Sequence, residues 1–244
     1  MNDLEFPGSA GHVDPSELYL YRGPEEESTF RPYLTGDVFD GIDLPGSTGK
    51  IRKRKVAILH HPCSMRRNGI DLTWSILVAE VSKRKALTAE QWSTGFFNIM
   101  PLPELEAVGD GWRDCAVDFD NLYTVSPEQL QAAERIASLS VVGINLLMQR
   151  WVHYTSRVVV PTISFNVATA PFYEEADLIE EWCEESATDE TPGAIRDAGL
   201  ACMGWLRAER PGGRTYQEML KDPQSLSTVR KAMRAELRNM NRAA

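Results

Sequence analysis

The sequence predicts an α+β fold: a small β-barrel with packed helices, followed by a helical C-terminal extension. Three observations carry this. Between residues 34 and 125, short runs of bulky and β-branched residues alternate with loops rich in Gly and Pro, without helical periodicity, as in a small barrel. At Ser126 the pattern turns helical, opening on a capping box. From residue 158 onward the chain reads as a series of capped amphipathic helices.

Residues 1–33 form an N-terminal extension, polar and interrupted by Pro7, Pro15, Pro24 and Pro32, with the acidic run Glu25-Glu26-Glu27. Its one apolar cluster, Leu18-Tyr19-Leu20-Tyr21, is its expected anchor. The barrel domain is expected over residues 34–157. Val38 and Phe39 open a short strand, which Gly41, Pro45, Gly46 and Gly49 break into a loop, and Val56 to Leu59 has the fully apolar character of a central strand. Asn68-Gly69 marks a turn, and Trp74 to Val81 reads as a strand buried on both faces. Further strands are expected at residues 95–100 and 115–124, separated by a loop containing Pro101, Pro103, Gly109 and Gly111.

Ser126-Pro127-Glu128-Gln129 satisfies otherwise orphan amides of a first helix, and Ser140 caps a second, on which Ile144, Leu147, Met148, Trp151 and Thr155 share a face. Such a helix should pack on the barrel or across a dimer contact. Val158-Val159-Val160-Pro161 ends it and begins the extension, residues 158–244. Residues 174–190 hold nine acidic and no basic side chains, with Leu178, Ile179 and Trp182 as an apolar ridge. Thr191-Pro192 starts a helix carrying Ile195, Ala198, Cys202 and Leu206, and Asp222-Pro223 starts a basic one carrying Leu226, Val229, Met233, Leu237 and Met240.

Composition excludes several classes. No apolar run approaches the roughly 20 residues needed to cross a bilayer, and the acidic, polar N-terminus does not read as a signal peptide. A cytoplasmic protein with no membrane partner is expected. The four cysteines form no CxxC pair, so neither a zinc knuckle nor a disulfide framework is indicated, and no cofactor is expected. A net charge of -9 argues against a surface that binds nucleic acid throughout, but leaves room for a local basic patch. P-loop, GxGxxG, GxSxG and HExxH patterns are absent from the sequence.

That patch is Lys50, Arg52, Lys53, Arg54 and Lys55, followed by Arg66 and Arg67: seven cations and no carboxylate over residues 50–67. It suits a phosphate backbone; a solvated loop on an edge strand, where lysine and arginine discourage strand pairing, is the other reading. His60, His61 and Cys63 sit beside it. Their spacing fits no closed metal site, and alternation along a strand would send the two imidazoles to opposite faces, so no metal is assigned. One histidine as general acid or base, or a thiolate at Cys63 favoured by Arg66 and Arg67, is the chemical reading; a buried histidine and an inert cysteine are the structural one.

The order of these pieces resembles the MazF/PemK family of toxin endoribonucleases over about residues 35–150. The resemblance is carried by Thr35-Gly36-Asp37-Val38-Phe39, Lys55-Val56-Ala57-Ile58-Leu59-His60 and Val78-Ala79-Glu80-Val81-Ser82. It continues in Asp120-Asn121-Leu122-Tyr123-Thr124-Val125, then Leu130, Arg135-Ile136 and Leu139-Ser140. It implies an SH3-like (MazF/CcdB-like) barrel, a homodimer using helix 141–155, and metal-independent cleavage of single-stranded RNA in a toxin–antitoxin or phage-defence setting. Lys55, with Arg54 beside it, stands where the family has a catalytic arginine, and Ser82 where it has a threonine or serine; Glu80 replaces a usual proline. A lysine brings positive charge without the bidentate fork of a guanidinium.

The expectation is therefore an RNA-binding protein or endoribonuclease. Lys55, Ser82, His60 and His61 would be catalytic, with Arg52, Lys53, Arg54, Arg66 and Arg67 binding RNA and the acidic 174–190 segment resting in the basic groove. The alternative is a catalytically silent barrel whose helical residues 158–244 dock a protein partner.

Overall fold

The computed structural model describes residues 3–9, 11–23, 28–46 and 49–243. The acidic run Glu25-Glu26-Glu27 lies outside the described residues, as does part of the Gly-rich loop after Pro45. The chain divides into two compact units, the first comprising residues 1–27, 33–65 and 73–166, the second residues 28–32, 66–72 and 167–244.

The first unit opens with the two-residue strands β1 (Gly8–Ser9) and β2 (His12–Val13), which pair with each other. Its main sheet is antiparallel and seven-stranded among the described residues: β3 (Tyr19–Arg22), β4 (Val38–Pro45), β5 (Ile51–Ile58), β6 (Ile76–Lys83), β7 (Ile99–Val108), β8 (Gly111–Val125) and β9 (Glu134–Leu139), in the order β3-β9-β4-β5-β6-β8-β7. The sheet curls into a nearly closed barrel, consistent with an SH3-like fold. Its two edge strands meet through side chains. The Tyr19 hydroxyl donates to the Pro103 carbonyl at 2.8 Å, and Arg22 donates to the Glu104 carbonyl and carboxylate at 3.1 Å each. Leu18 is fully buried, so the Leu-Tyr cluster is fixed and supplies an edge strand of the barrel.

Three strand boundaries differ from the sequence reading, each for a local reason. The basic run is not a loop: Arg52 to Lys55 lie within β5, where a long hairpin pairs Leu44 with Arg52 and Ile42 with Arg54. The strand expected from Trp74 begins at Ile76 instead, and Trp74 is 82% exposed. The supposed Pro101–Pro103 loop is strand β7. Proline lacks an amide donor, which an edge strand tolerates on its unpaired side, and β7 is an edge. Its ladder also breaks between Leu102 and Glu106, where Glu104 adopts a φ of 53°.

Helices decorate this sheet. Short α1 (Pro62–Met65), α2 (Ala89–Thr94) and α3 (Pro127–Gln131) occupy connections, and the Ser126 capping box is present, its hydroxyl accepting from the Gln129 amide. The long α4 (Val141–Ser156) is capped by Ser140 and packs on β7 and β9, burying Ile144, Leu146 and Leu147. Arg150 of α4 is fully buried. The helix ends on Arg157, whose φ of 62° is left-handed.

Gly143 permits the close approach of the chain at Leu18: a Cβ there would lie 2.3 Å from the Leu18 carbonyl oxygen. Gly143→Ala is therefore expected to destabilise by about 1–3 kcal/mol, although alanine is the better helix former by about 1 kcal/mol. A denaturant midpoint that rises in the variant would overturn this.

The second unit is helical: α5 (Thr162–Ser186) from residue 167 on, α6 (Pro192–Arg207), α7 (Tyr216–Met219) and α8 (Leu226–Ala243). Thr191 caps α6 as its sequence predicts. The apolar ridges meet in one core, with Leu178, Trp182, Cys202, Leu206, Val229 and Met233 nearly inaccessible. Residues 66–72 fold against α6: Asp71 receives a bidentate pair from Arg196 (2.6 and 2.9 Å), and the Asn68 carbonyl accepts from Arg207 at 2.6 Å. Gly69 has a φ of +97°, a conformation that a side chain would strain, and its missing Cβ leaves room for the end of the Met203 side chain. Four carboxylates of the acidic stretch find counter-charges within the unit. Arg31 pairs with Asp177 and Glu180 at 2.7 Å, Arg230 with Glu174 at 2.7 Å, and Arg234 with Glu181 at 2.6 Å.

Candidate functional site

The basic residues of β5 define an open, polar cleft of about 330 Å³. Arg52, Lys53, Arg54 and Lys55 line it, with Asp40, Glu80 and Val81. Asp40 enters because the β4–β5 ladder shifts register between Phe39 and Ile42, and Glu80 because β6 pairs with β5. Four cations thus face two carboxylates.

Those cations fall into two classes. Arg54 is ion-paired with Glu80, and Lys55 is held between Glu106 at 2.9 Å and Asp40 at 3.1 Å. Burial by itself would lower the Lys55 pKa, but its hydrogen bonds to Glu106 and Asp40 outweigh that and keep it above the ordinary lysine value. Glu106 is shared, since Arg113 also contacts it at 2.9 Å. Arg52 and Lys53 are exposed and have no carboxylate partner among the described residues.

The register separates two residues that the resemblance would bring together. Lys55 lies opposite Val81, and Val56 opposite Glu80. Alternation then sends Ser82 to the face shared by Arg54 and Glu80, away from that of Lys55, and Ser82 does not line the cleft.

His60 has a structural task. Its Nδ1 accepts the Leu77 amide at 3.2 Å, and its carbonyl accepts the Thr35 hydroxyl at 2.6 Å, tying the end of β5 to β6 and to the approach to β4. Accepting at Nδ1 requires that nitrogen to be unprotonated, and burial pulls the His60 pKa below the ordinary histidine value in the same sense. His61 instead contacts Cys63, its Nδ1 2.9 Å from the sulfur. Neither imidazole lines the cleft. Arg66 and Arg67 belong to the second unit, where they donate to the Gly69 and Leu72 carbonyls. Among the described residues no group of three or more His, Cys, Asp or Glu side chains is placed to hold a metal ion, and no helix is long and apolar enough to cross a membrane.

Sequence reasoning passed over Asp40 and Glu106. Asp40 carries a faint signal, an acidic residue before Gly41 where the strand breaks. Glu106 carries none, because it reaches Lys55 only through the curl of the sheet, which brings β7 over β5. No protein-family model matches the chain, and no curated protein matches it.

Proposed function

We propose that the first unit is a phosphate-binding barrel of MazF-like type that holds single-stranded RNA in the β5 cleft without cleaving it. The observation that carries this reading is the gathering of four consecutive cations in one open cleft, two of them without a carboxylate partner among the described residues. Arg52 and Lys53 would meet the first phosphates at no cost in broken ion pairs. Arg54 could then exchange Glu80 for a phosphate oxygen pair, which its planar fork suits.

Cleavage asks for more than this. Transfer to the ribose 2′-oxygen needs a base within about 3 Å of that hydroxyl and uncommitted positive charge at the scissile phosphate. His60 is occupied as an acceptor for Leu77, Lys55 is neutralised by two carboxylates, and Ser82 projects to another face.

Titration of the full-length chain with a labelled mixed-sequence RNA tests the reading. Each phosphate contact on a single strand contributes about -0.7 to the slope of log K against log salt. An Arg52→Ala, Lys53→Ala double variant should thus flatten the slope by about 1.4 and weaken binding about tenfold in about 0.1 M salt. RNA recovered intact in EDTA is the accompanying expectation. Cleavage that disappears in Lys55→Ala would instead assign a nuclease. Absence of binding would favour the rival reading, a silent barrel whose helical unit docks a protein, which the prior neutralisation of Arg54 and Lys55 supports.

A further inference from the structure

The β5 cleft opens where two paired strands separate. β5 and β6 are joined only from the Ile58–Val78 pair to the Lys55–Val81 pair. Beyond it β5 runs on with β4 alone, as far as Ile51 opposite Pro45, and β6 runs on with β8 alone, as far as Lys83 opposite Cys115. The cleft lies in this fork. Arg52, Lys53, Arg54 and Lys55 line it from one arm, and Glu80 and Val81 line it from the base of the other.

The second arm is basic as well. Past Val81 it reads Ser82-Lys83-Arg84-Lys85, and all three cations are exposed. The Arg84 amide still donates to the Asp114 carbonyl at 3.1 Å, so the arm follows β8 beyond Lys83. Alternation sets Lys83 on the face of Val81, which lies opposite Lys55, so Lys53, Lys55 and Lys83 share one face across the fork. Arg84, on the other face, meets Asp118 at 3.5 Å, whereas Lys83 and Lys85 have no carboxylate partner among the described residues. Around the fork, Glu80 is held by Arg54, Asp40 and Glu106 by Lys55, and Asp114 accepts the Glu104 amide. Asp43, opposite Lys53 in the β4–β5 ladder, makes no ion pair with it. Among the described residues, each arm thus carries two uncommitted cations: Arg52 and Lys53 on β5, Lys83 and Lys85 at the end of β6.

A polyanion gains from every cation it can reach, because each neutralised phosphate releases condensed counterions. We propose that single-stranded RNA crosses the fork, its phosphates meeting Arg52 and Lys53 on one arm and Lys83 and Lys85 on the other. This rests on the RNA reading of the β5 cleft and adds to it a second set of phosphate contacts on a second strand. Lys83 and Lys85 act as point charges on the backbone, so they lengthen the track and contribute affinity without selecting bases.

The test is a salt titration of the full-length chain with a labelled mixed-sequence RNA of about 12 nucleotides. A Lys83→Ala, Lys85→Ala double variant should flatten the slope of log K against log salt by about 1.4 and weaken binding about tenfold in about 0.1 M salt. Combined with Arg52→Ala and Lys53→Ala, the loss of slope should reach about 2.8. Lys83→Arg, Lys85→Arg, which keeps both charges, should retain the parent's slope. A Lys231→Ala, Arg238→Ala control takes the same charge from α8 and should also retain it. All six side chains are exposed, so the substitutions leave both cores untouched. A parental slope in Lys83→Ala, Lys85→Ala, beside a flattened one in Arg52→Ala, Lys53→Ala, would overturn the second arm and leave the β5 reading standing. Equal flattening by the α8 control would also overturn it, since the effect would then be one of net charge. A parent chain that binds no RNA would overturn the reading of the cleft and the second arm together.

Discussion

Arg150→Met is expected to remove about 3–5 kcal/mol of stability, a large share of the roughly 5–15 kcal/mol that holds a typical domain folded. Arg150 lies on α4 with no accessible surface, and among the described residues no carboxylate answers its charge; its donors are spent on backbone carbonyls. Nε meets Ile99 at 2.6 Å, one terminal nitrogen meets Trp92 at 2.8 Å, and the other meets Phe96 at 2.8 Å and Gly95 at 3.3 Å. Burial pulls the guanidinium pKa down to about 10, so it stays charged at neutral pH. These carbonyls belong to the end of α2 and the irregular segment leading into β7, where Phe96 has a φ of 52°. Arg150 therefore supplies the donors that this segment cannot find in a helix or ladder. Methionine fills the volume but removes the donors, and the carbonyls of the buried residues Trp92 and Ile99 lose a partner at about 1–3 kcal/mol each, whereas that of Phe96 keeps the Ile99 amide at 3.2 Å. Lysine, with three donors and no fork, should recover about half of the loss. Equilibrium denaturation of the three proteins measures this, and a midpoint in Arg150→Met equal to the parent's would overturn it.

In the second unit the largest effect is expected at Trp182. Its side chain is 1% exposed and packs at 5.6 Å between ring centroids against Trp205, within the core that joins α5, α6 and α8. Trp182→Ala should cost about 3–5 kcal/mol through lost burial and the cavity left behind. The loss should appear as faster amide exchange across residues 178–206 and 229–237. Trp182→Phe is the informative control. The indole nitrogen is buried without a hydrogen-bond partner among the described residues, so phenylalanine removes an unsatisfied donor along with part of the ring. These effects oppose each other, and a cost below about 1.5 kcal/mol is expected. Equal costs for the alanine and phenylalanine variants would show that the site is governed by something other than packing.

The sequence by itself determined the α+β class, the barrel-then-helices order, the caps at Ser126, Ser140 and Thr191, and the buried ridges of the C-terminal helices. Each is a local matter, settled by a periodicity or by a side chain satisfying amides two or three residues away. It also showed where positive charge concentrates, because seven cations over residues 50–67 need no partner to be noticed, but not that Arg52 to Lys55 form a strand. Tertiary structure alone decided what those cations can do. Lys55 is neutralised by Asp40, 15 positions before it, and by Glu106, 51 positions after it, a pairing that depends on a register shift and on the curl of the sheet. The β5–β6 register sets Ser82 on the face of Arg54 and Glu80 and not on that of Lys55, and His60 accepts the Leu77 amide. Side-chain charge is written in the chain one residue at a time, whereas its neutralisation depends on which strands become neighbours.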